Sequence, residues 1–333
     1  MRSMRLLCCG EPLVLVEREA LTPTPDQVII KVAACGVCHS DLHIANGELK
    51  PRTPVTLGHE VAGTVVRTGS AVTTLQAGDR VGVPWIQWTC GACEWCISGA
   101  EQLCAQQKIT GFTVDGGYAD EMAVAATHAV RLPDGLPFTE AAPLLCAGLT
   151  VYKALKLAGL AAGQRLAVFG VGGLGHLAVQ LGRYMGAEVI GIDMAEDKLQ
   201  LARECGAAHV INAVSGPAGK AVRALGGAHV ALVTAASSAA YETALRSVRP
   251  RGTVMGVGMP AEAVPVPMVS FAAREIRFLA STVGTRQDLR ELLALAAAGH
   301  VRCRIETRPL LEANVALTAL REARVLGRIV LTP

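Results

Sequence analysis

Residues 148–282 alternate short apolar runs with stretches of helical pattern, and this alternation restricts the fold more than any other feature of the chain. Compact apolar runs that alternate with helices are typical of strands buried on both faces of a parallel sheet. The predicted strands are Arg165–Phe169, Glu188–Ile192, His209–Ile211, Val230–Thr234, Thr253–Val257 and Arg277–Ala280. Helices are predicted over Leu174–Met185 and Asp197–Cys205. The pattern therefore predicts an α/β fold with a doubly wound parallel sheet.

The segments on either side of this region have a different pattern. Their short apolar runs are separated by Gly and Pro turns, and they include Gln27–Ala33, Gly63–Arg67, Arg80–Val83 and Gly327–Leu331. One further helix is predicted over Gln287–Ala298. We therefore predict a β-rich domain formed by 1–147 and 283–333, with a parallel-sheet domain, 148–282, inserted into it.

The composition excludes several classes of protein. The 333 residues carry a formal net charge of +3, with 51% hydrophobic and 18% charged residues, whereas a disordered chain has low hydrophobicity and high net charge. The scattered Lys and Arg residues form no nucleic-acid-binding patch. The central uncharged stretch, 166–182, contains five glycines and is short for a bilayer helix, and the N-terminal segment lacks the apolar core of a signal peptide. We predict a cytoplasmic protein without nucleic-acid or membrane partners.

A cluster of four cysteines indicates a metal site. Cys90, Cys93, Cys96 and Cys104 lie within fifteen residues, so their thiolates can close around one tetrahedral Zn²⁺ and leave no position for substrate. Bacterial iron–sulfur motifs also begin C-x₂-C-x₂-C, but they close with a shorter gap and a proline after the fourth cysteine. Four unliganded thiols in a polar loop are the remaining alternative. We predict a structural zinc lobe over about 84–110.

The glycine-rich segment at 170–175 predicts a nucleotide site. Its sequence, GVGGLG, matches G-x-G-x-x-G, follows a predicted strand and opens a predicted helix, as a pyrophosphate-binding turn requires. The glycines that permit the tight turn and the close backbone approach are Gly170, Gly172, Gly173 and Gly175. Asp193 follows eighteen residues after Gly175, where a carboxylate accepts hydrogen bonds from the adenosine ribose. The same carboxylate repels a 2′-phosphate, so NAD is favoured over NADP.

Three further potential ligands are scattered along the chain. Cys38 lies in the segment CGVCHSDLH, His59 follows a glycine, and Cys146 lies in an apolar run. Taken singly, Cys146 is a buried small hydrophobe and His59 a loop residue, and their spacing alone does not join them. A Cys₂His set that leaves one coordination position open is nevertheless what a catalytic zinc requires.

The chain resembles the zinc-dependent medium-chain alcohol dehydrogenase family, of the tetrameric bacterial and yeast type. The matching segments are ordered along the whole chain: CGVCHSDLH, LGHEVAG, the four-cysteine lobe, DGGYADE, LLCAGLTVYKAL, GVGGLG, GTRQDLRE and GRIVL. The resemblance implies a GroES-like catalytic domain with an inserted Rossmann domain. It also implies two zinc ions per subunit, NAD as cofactor and a homotetramer.

The resemblance assigns roles around the catalytic zinc. Cys38, His59 and Cys146 are its implied ligands. Asp41 resembles the carboxylate that holds the zinc histidine in one tautomer, and Glu60 the acidic residue behind the metal. The implied proton path leads from the alcohol through Ser40 and the cofactor ribose to His43, for which a plain surface histidine is the alternative. The implied substrate pocket contains Trp85, and Leu49 where yeast-type relatives carry a tryptophan.

Other residues match positions that contact the cofactor. His39 and Arg328 correspond to residues at the pyrophosphate, and Lys198 to a lysine near the ribose, although a solvated helix lysine is an equal alternative. The positions that correspond to the nicotinamide surroundings are Thr150, Leu174, Val257, Met259 and Val283.

The implied reaction is the reversible oxidation of a primary alcohol to an aldehyde, and Leu49 in place of a tryptophan predicts room for bulky or aromatic alcohols. Polyol dehydrogenases lack the third cysteine ligand, quinone reductases lack the zinc ligands, and NADP-dependent cinnamyl-type relatives lack an acidic residue at Asp193. A non-catalytic or redox-sensing NAD- and zinc-binding protein is the alternative from another class. The thiols without an assigned role are Cys8, Cys9, Cys35, Cys205 and Cys303.

Overall fold

The computed structural model describes residues 1–333, and these divide into two compact units. Unit 1 comprises Met1–Leu149, Gly284–Gly299 and Cys303–Pro333, and unit 2 comprises Thr150–Val283 and His300–Arg302. The sequence-based limits lie within two residues of the main unit limits, and the short return of 300–302 to unit 2 was not expected. The division of the chain into folding domains stays a prediction.

Eighteen strands are present, numbered in chain order. They are β1 (Arg2–Leu6), β2 (Val14–Glu17), β3 (Gln27–Gly36), β4 (Val55–Thr56), β5 (Glu60–Thr68), β6 (Arg80–Val83), β7 (Ile86–Trp88), β8 (Lys108–Ile109), β9 (Glu121–Ala125), β10 (Val130–Arg131), β11 (Arg165–Phe169), β12 (Glu188–Asp193), β13 (His209–Asn212), β14 (Ala228–Val233), β15 (Val248–Gly256), β16 (Arg277–Ala280), β17 (Ile305–Pro309) and β18 (Arg328–Thr332).

Eleven α-helices accompany the strands. They are α1 (His39–Ala45), α2 (Glu94–Ile97), α3 (Phe138–Ala141), α4 (Ala147–Ala158), α5 (Gly175–Tyr184), α6 (Glu196–Glu204), α7 (Ala218–Ala224), α8 (Ser238–Ser247), α9 (Met268–Ala273), α10 (Arg286–Ala297) and α11 (Ala313–Arg321). By length and composition, no single helix could cross a membrane; the bent pair Phe138–Leu145 and Ala147–Ala158 passes this test only when its parts are combined.

Unit 1 is built on a mostly antiparallel sheet in which β3 is the central strand. The order is β10-β6-β5-β3-β18-β17, and β9 also pairs with β3. Seven of the ten residues of β3 are buried, so this strand forms the middle of an apolar core that includes Val28, Ile30 and Val32. A three-stranded sheet, β2-β1-β4, and the antiparallel pair β7-β8 complete the unit. The core thereby fixes the strand ends that carry the first potential site.

Unit 2 is a six-stranded parallel sheet of order β13-β12-β11-β14-β15-β16. The chain starts at the centre with β11, moves outward on one side and then returns to the other, which is the doubly wound order 3-2-1-4-5-6. β11 is buried from Leu166 to Phe169, consistent with helices on both faces. The carboxyl ends of β11 and β12 meet beside the point where the strand order reverses, and this is where ligands bind in such sheets.

Candidate active site and cofactor site

Four potential ligands of unit 1 meet in its interior. The ligand atoms of Cys38, His59, Glu60 and Cys146 all lie within 4.8 Å of one another, and all four residues are buried. Cys38 immediately precedes α1, His59 and Glu60 stand at the start of β5, and Cys146 precedes α4. Three separate segments thus bring two thiols, an imidazole and a carboxylate to one point.

The arrangement fits a zinc ion. Two sulfurs bound to one tetrahedral Zn²⁺ at about 2.3 Å lie about 3.8 Å apart, and the sulfurs of Cys38 and Cys146 are 4.0 Å apart. Nε2 of His59 is buried without a hydrogen-bond partner. A buried polar atom without a partner is costly unless a ligand satisfies it, so this imidazole is prepared for a metal bond.

Asp41 explains why Nε2, and not Nδ1, is the ring nitrogen of His59 without a hydrogen-bond partner. Its buried carboxylate accepts hydrogen bonds from the backbone of Cys38 (2.9 Å) and Gly58 (3.2 Å) and from the hydroxyl of Tyr118 (3.1 Å), and it lies 3.1 Å from Nδ1 of His59. An ionised carboxylate only accepts, so Nδ1 carries a proton and Nε2 is the ring nitrogen left for a metal bond. Tyr118 was not predicted, although it lies in the DGGYADE segment.

Glu60 forms a buried ion pair behind the site. One of its oxygens contacts Nη2 of Arg328, and the two side chains are 0% and 2% exposed. The other oxygen has no hydrogen-bond partner, and it would lie only 1.8 Å from a Cβ at position 36 if Gly36 carried one. Gly36 therefore makes room for this carboxylate. Arg328, which the resemblance placed at the pyrophosphate, is held in unit 1 by Glu60.

The charges of this cluster depend on one another. The hydrogen bond from Cys146, ahead of the contribution of His59, lowers the pKa of Cys38 well below that of an ordinary thiol. The same interaction raises the pKa of Cys146. Burial raises the pKa of Glu60 to about 7, although Arg328 opposes this shift. The opposite directions mean that ionising one of these two thiols disfavours ionising the other, and a divalent cation favours both as thiolates.

The implied proton-transfer residues lie on α1. Ser40 Oγ is 3.8 Å from Cys38 Sγ, and the residue is half-buried. The side chain of His43 is 24% exposed, so this imidazole has contact with solvent. His39 is the exposed first residue of the helix. One helix thus brings the hydroxyl close to the ligand cluster and the imidazole to the surface.

The two expected pocket residues pack against the core of unit 1. The rings of Trp85 and His59 are 4.7 Å apart and nearly perpendicular, and Phe112 stacks on Trp85 at 6.4 Å. Leu49 is half-buried against the same core. An aromatic wall therefore adjoins the imidazole that faces the cluster. Phe112 was not predicted, because only the contact with Trp85 reveals it.

The four-cysteine lobe also gathers its ligands. The sulfurs of Cys90, Cys93, Cys96 and Cys104 lie within 4.8 Å of one another. Cys90 Sγ is 3.9 Å from Cys96 Sγ and 3.7 Å from Cys104 Sγ, near the spacing of about 3.8 Å expected around zinc. The lobe contains little other regular structure than β7, β8 and the four-residue α2. A bound ion would therefore supply much of its cohesion.

A salt bridge that the sequence did not predict attaches the lobe to α10. Glu101 receives hydrogen bonds from Nε and Nη2 of Arg286 at 2.9 and 2.5 Å, and from the backbone nitrogen of Arg286. Arg286 also donates to the carbonyl of Thr127. These hydrogen bonds between charged groups are geometrically specific, so they hold the lobe at the N-terminus of that helix.

Replacing Cys93 by serine tests the structural assignment of the lobe. We expect loss of one zinc per chain and a fall of about 5–10 °C in the midpoint of thermal unfolding, because the metal links segments that pack poorly by themselves. Catalytic constants of the folded fraction should stay close to those of the parent protein. Cys205→Ser is the control, since this thiol lies outside both clusters. Unchanged zinc content and an unchanged midpoint would contradict the assignment.

The glycine-rich segment of unit 2 forms a tight turn between β11 and α5. Gly170 has a φ of +95°, and a Cβ at Gly175 would lie 1.9 Å from the carbonyl oxygen of Gly170. A Cβ at Gly172 would meet no protein atom within 4 Å, so the turn is open on that side. The N-terminus of the ten-residue α5 follows directly, and such an end attracts a pyrophosphate. Gly173 is half-buried in the same turn.

Asp193 ends β12 beside this turn. One carboxylate oxygen accepts from the backbone nitrogen of Val171 at 2.7 Å, and the other from Met194 at 2.7 Å and Ala195 at 3.1 Å. These bonds fix the carboxylate at the edge of the sheet, next to the glycine turn. Lys198 is half-buried in the first half of α6.

The remaining expected cofactor residues belong to unit 2 but have different surroundings. Thr150 and Val283 are buried, Leu174 and Val257 are half-buried, and Met259 is 59% exposed. Val283 has a φ of +30°, which a β-branched residue rarely adopts. Their contacts with a nicotinamide stay a prediction.

Two family models match the chain. "Alcohol dehydrogenase GroES-like domain" matches residues 24–134, and "Zinc-binding dehydrogenase" matches residues 173–298. An alcohol dehydrogenase from Geobacillus stearothermophilus is 42% identical over 324 residues, which are 96% of each chain.

Solved structures agree with these sequence matches. An alcohol dehydrogenase from the hyperthermophilic archaeon Aeropyrum pernix superposes with a TM-score of 0.94 at 35% identity, over 100% of both chains. A structure described as an NAD-dependent alcohol dehydrogenase superposes with a TM-score of 0.93 at 25% identity, again over 100% of both chains. Its two matched family models, its homologues and its fold place this chain in the zinc-dependent medium-chain alcohol dehydrogenase family.

Proposed function

We propose that this protein is an NAD-dependent alcohol dehydrogenase with a catalytic and a structural zinc. It oxidises primary alcohols, including bulky or aromatic ones, reversibly to aldehydes by hydride transfer. The observation that carries the proposal is the buried group of Cys38, His59 and Cys146, in which His59 Nε2 has no partner. Zinc supplies Lewis acidity toward the alcohol oxygen, and the nicotinamide supplies the hydride acceptor.

The protein residues hold and tune the catalytic metal. Cys38, His59 and Cys146 serve as its ligands, and Asp41 keeps the His59 proton on Nδ1, 3.1 Å from its carboxylate. Two thiolates and one neutral imidazole leave a net charge of zero with a divalent cation. Glu60 and Arg328 balance each other next to it, so the site does not repel an alcohol that is losing its proton.

Ser40 and His43 remove that proton. Ser40 Oγ, beside Cys38, takes up this proton as it releases its own hydroxyl proton, which would pass by way of the cofactor ribose to His43, and the partly exposed imidazole of His43 on α1 passes a proton to water. Helix α1 is rigidly anchored, because Asp41 in its first turn accepts from the backbone of Cys38. Ser40 and His43 lie three positions apart on this helix and therefore on the same face.

The pocket residues determine which alcohols fit. Trp85 stands against the edge of His59 and supplies a flat apolar wall. Leu49 offers a smaller side chain than a tryptophan at the same position, so we propose that the pocket accommodates longer and aromatic alcohols. Their apolar area is removed from water on binding, which favours them by about 0.8 kcal/mol per buried CH₂ group.

An alcohol series tests the activity and the pocket together. With zinc-loaded protein and NAD, we expect kcat/KM to rise from ethanol to benzyl alcohol by about ten- to a hundredfold. In Leu49→Trp the preference should shrink, because the larger ring fills the space, while ethanol oxidation persists. Absorbance of the reduced nicotinamide measures both. If ethanol is oxidised more efficiently than every bulkier alcohol, the proposal about the pocket is wrong. If no alcohol is oxidised, the proposed activity is wrong.

Asp193 should determine the choice of cofactor. In Asp193→Asn, kcat/KM for NADP relative to NAD should rise by roughly tenfold or more, because the variant no longer repels a 2′-phosphate. Asp197→Asn is the control, since that exposed carboxylate lies on α6 beyond the turn. The measurement is initial rates with each cofactor at a fixed alcohol concentration. An unchanged ratio in Asp193→Asn would remove the basis for the NAD preference.

We also propose a cytoplasmic homotetramer. None of the eleven cysteines forms a disulfide, and zinc-binding thiolates persist best in a reducing compartment. β16 is an edge strand, and exposed apolar side chains lie nearby at Met268 (66%), Val269 (88%) and Phe278 (38%). An edge of this kind pairs with a second copy. Sedimentation equilibrium should give four chains per particle, and a monomer would contradict the assembly.

A further inference from the structure

A carboxylate outside the metal cluster contacts the imidazole of His43. Glu48 Oε2 lies 2.6 Å from His43 Nδ1. The second oxygen, Oε1, accepts from Nδ2 of Asn46 at 3.0 Å, and Asn46 Oδ1 accepts from Nη2 of Arg321 at 3.2 Å. Four side chains thus form one chain of hydrogen bonds from α11 to His43.

The backbone holds this carboxylate in place. The nitrogens of Glu48 and Leu49 both donate to the carbonyl oxygen of His43, at 3.0 and 3.2 Å. They close a turn at the end of α1 in which Gly47 has a φ of +79°. The turn begins at His43 and places Glu48 next to it. The turn thereby places Glu48, whose side chain is 53% exposed, within reach of the His43 ring.

We propose that Glu48 is a positioning residue that holds His43 with its proton on Nδ1 and its lone pair on Nε2. The inference rests on the proposed function, in which His43 passes a proton to solvent. An ionised carboxylate can only accept, so it selects this tautomer and fixes the ring orientation. Hydrogen bonds from Asn46 and then from His43 lower the pKa of Glu48, which keeps it ionised.

The proton balance follows from this tautomer. The hydroxyl group at the end of the path from Ser40 gives its proton to Nε2 of His43, so its O–H bond breaks as a new N–H bond forms. The resulting imidazolium carries its positive charge beside Glu48. Water then takes the proton from Nε2, and the ring returns to its starting tautomer without a flip. Arg321 is the other charged group in this chain of contacts, and Asn46 separates it from Glu48.

The tautomer itself is the first test. In protein labelled with ¹⁵N at histidine, His43 should give the Nδ1–H pattern at neutral pH in the parent chain. In Glu48→Leu this pattern should give way to the Nε2–H form or to a mixture. Glu11→Gln is the control, because this exposed carboxylate lies beside Gly10, which bonds to the end of α1, and should leave the pattern unchanged. An unaltered His43 pattern in Glu48→Leu would overturn the inference.

The pH profile of turnover is the second test. On the acid side, Glu48→Leu should lower kcat/KM by about three- to tenfold, and Glu48→Gln should lose less because its amide oxygen still accepts from Nδ1. In a His43→Ala background, Glu48→Leu should cause no further loss, since it acts through that imidazole. An equal loss in both backgrounds would show a merely structural role and overturn the proposal.

Different results would overturn the proposed function and the role of Glu48. A parent protein that oxidises no alcohol overturns the proposed function and this inference with it. A parent protein that is active, with a Glu48→Leu variant unchanged in both tautomer and pH profile, overturns only the inference about Glu48.

Discussion

Replacing Cys146 by serine is expected to lower kcat/KM for alcohol oxidation by roughly 10³-fold or more. Cys146 Sγ lies 4.0 Å from Cys38 Sγ, within the cluster that contains the unpartnered Nε2 of His59. Serine does not ionise at neutral pH, so the site loses a thiolate and its affinity for a soft, borderline metal. Zinc content should fall by one ion per chain, which atomic spectroscopy on the purified protein measures.

Cys303→Ser is the matched control for that experiment. Cys303 is also a buried thiol of unit 1, but it lies outside both ligand clusters. The Cys303→Ser variant should keep both metal ions and most of the activity. If Cys146→Ser retained activity and zinc like this control, Cys146 would not be a ligand, and the catalytic assignment would fail.

Replacing Arg328 by methionine is expected to destabilise the fold by about 3–5 kcal/mol. Both side chains of the pair with Glu60 are essentially inaccessible to solvent, so the variant leaves a buried carboxylate without its counter-charge. Burial raises the pKa of Glu60 to about 7, above its value in the unfolded chain. Ionisation of Glu60 therefore lowers the free energy of unfolding as the pH rises from its pKa in the unfolded chain to its pKa in the folded protein. The stability that the Arg328 variant loses should accordingly grow toward alkaline pH. Urea unfolding at several pH values measures the effect.

The double variant Glu60→Gln/Arg328→Met separates the pair from simple packing. It removes the uncompensated charge while it keeps most of the side-chain volume, so it should recover a substantial part of the lost free energy. If the double variant were as unstable as the sum of two independent losses, the ion pair would not be the cause. A single variant as stable as the parent protein would contradict the buried charge pair itself.

The parallel sheet was predictable from sequence because its strands are continuous apolar runs. In this sheet β11 and β16 begin and end where the sequence analysis placed them, as does β6 in the antiparallel sheet of unit 1. β15 begins earlier, at Val248, because its first residues include a proline and a glycine that resemble a turn and lead into a register shift against β14. α1 and α4 were not predicted, since their residues were considered only for their chemistry. The hydrophobic pattern thus identifies elements whose residues share one environment, and it misses elements that mix apolar positions with turn or functional residues.

The site was only partly predictable because its contacts join distant positions. The four-cysteine lobe is local, and its spacing alone indicates a metal. By contrast, Glu60 and Arg328 are 268 residues apart, and Glu101 and Arg286 are 185 residues apart. No local pattern marks such pairs, and the resemblance marked Glu60 and Arg328 individually without pairing them. The contact of Glu48 with His43 spans only five positions, and a carboxylate after a helix end was the signal that sequence reasoning missed.

The most direct test of the account follows hydrogen from substrate to cofactor. Zinc-loaded protein is given NAD and benzyl alcohol deuterated at its carbinol carbon, and the products are analysed by mass spectrometry. We predict that each turnover places one deuterium on the reduced nicotinamide and yields the deuterated aldehyde, with none released to water. Deuterium in the solvent, or aldehyde formed without reduced cofactor, would contradict hydride transfer and with it the central claim.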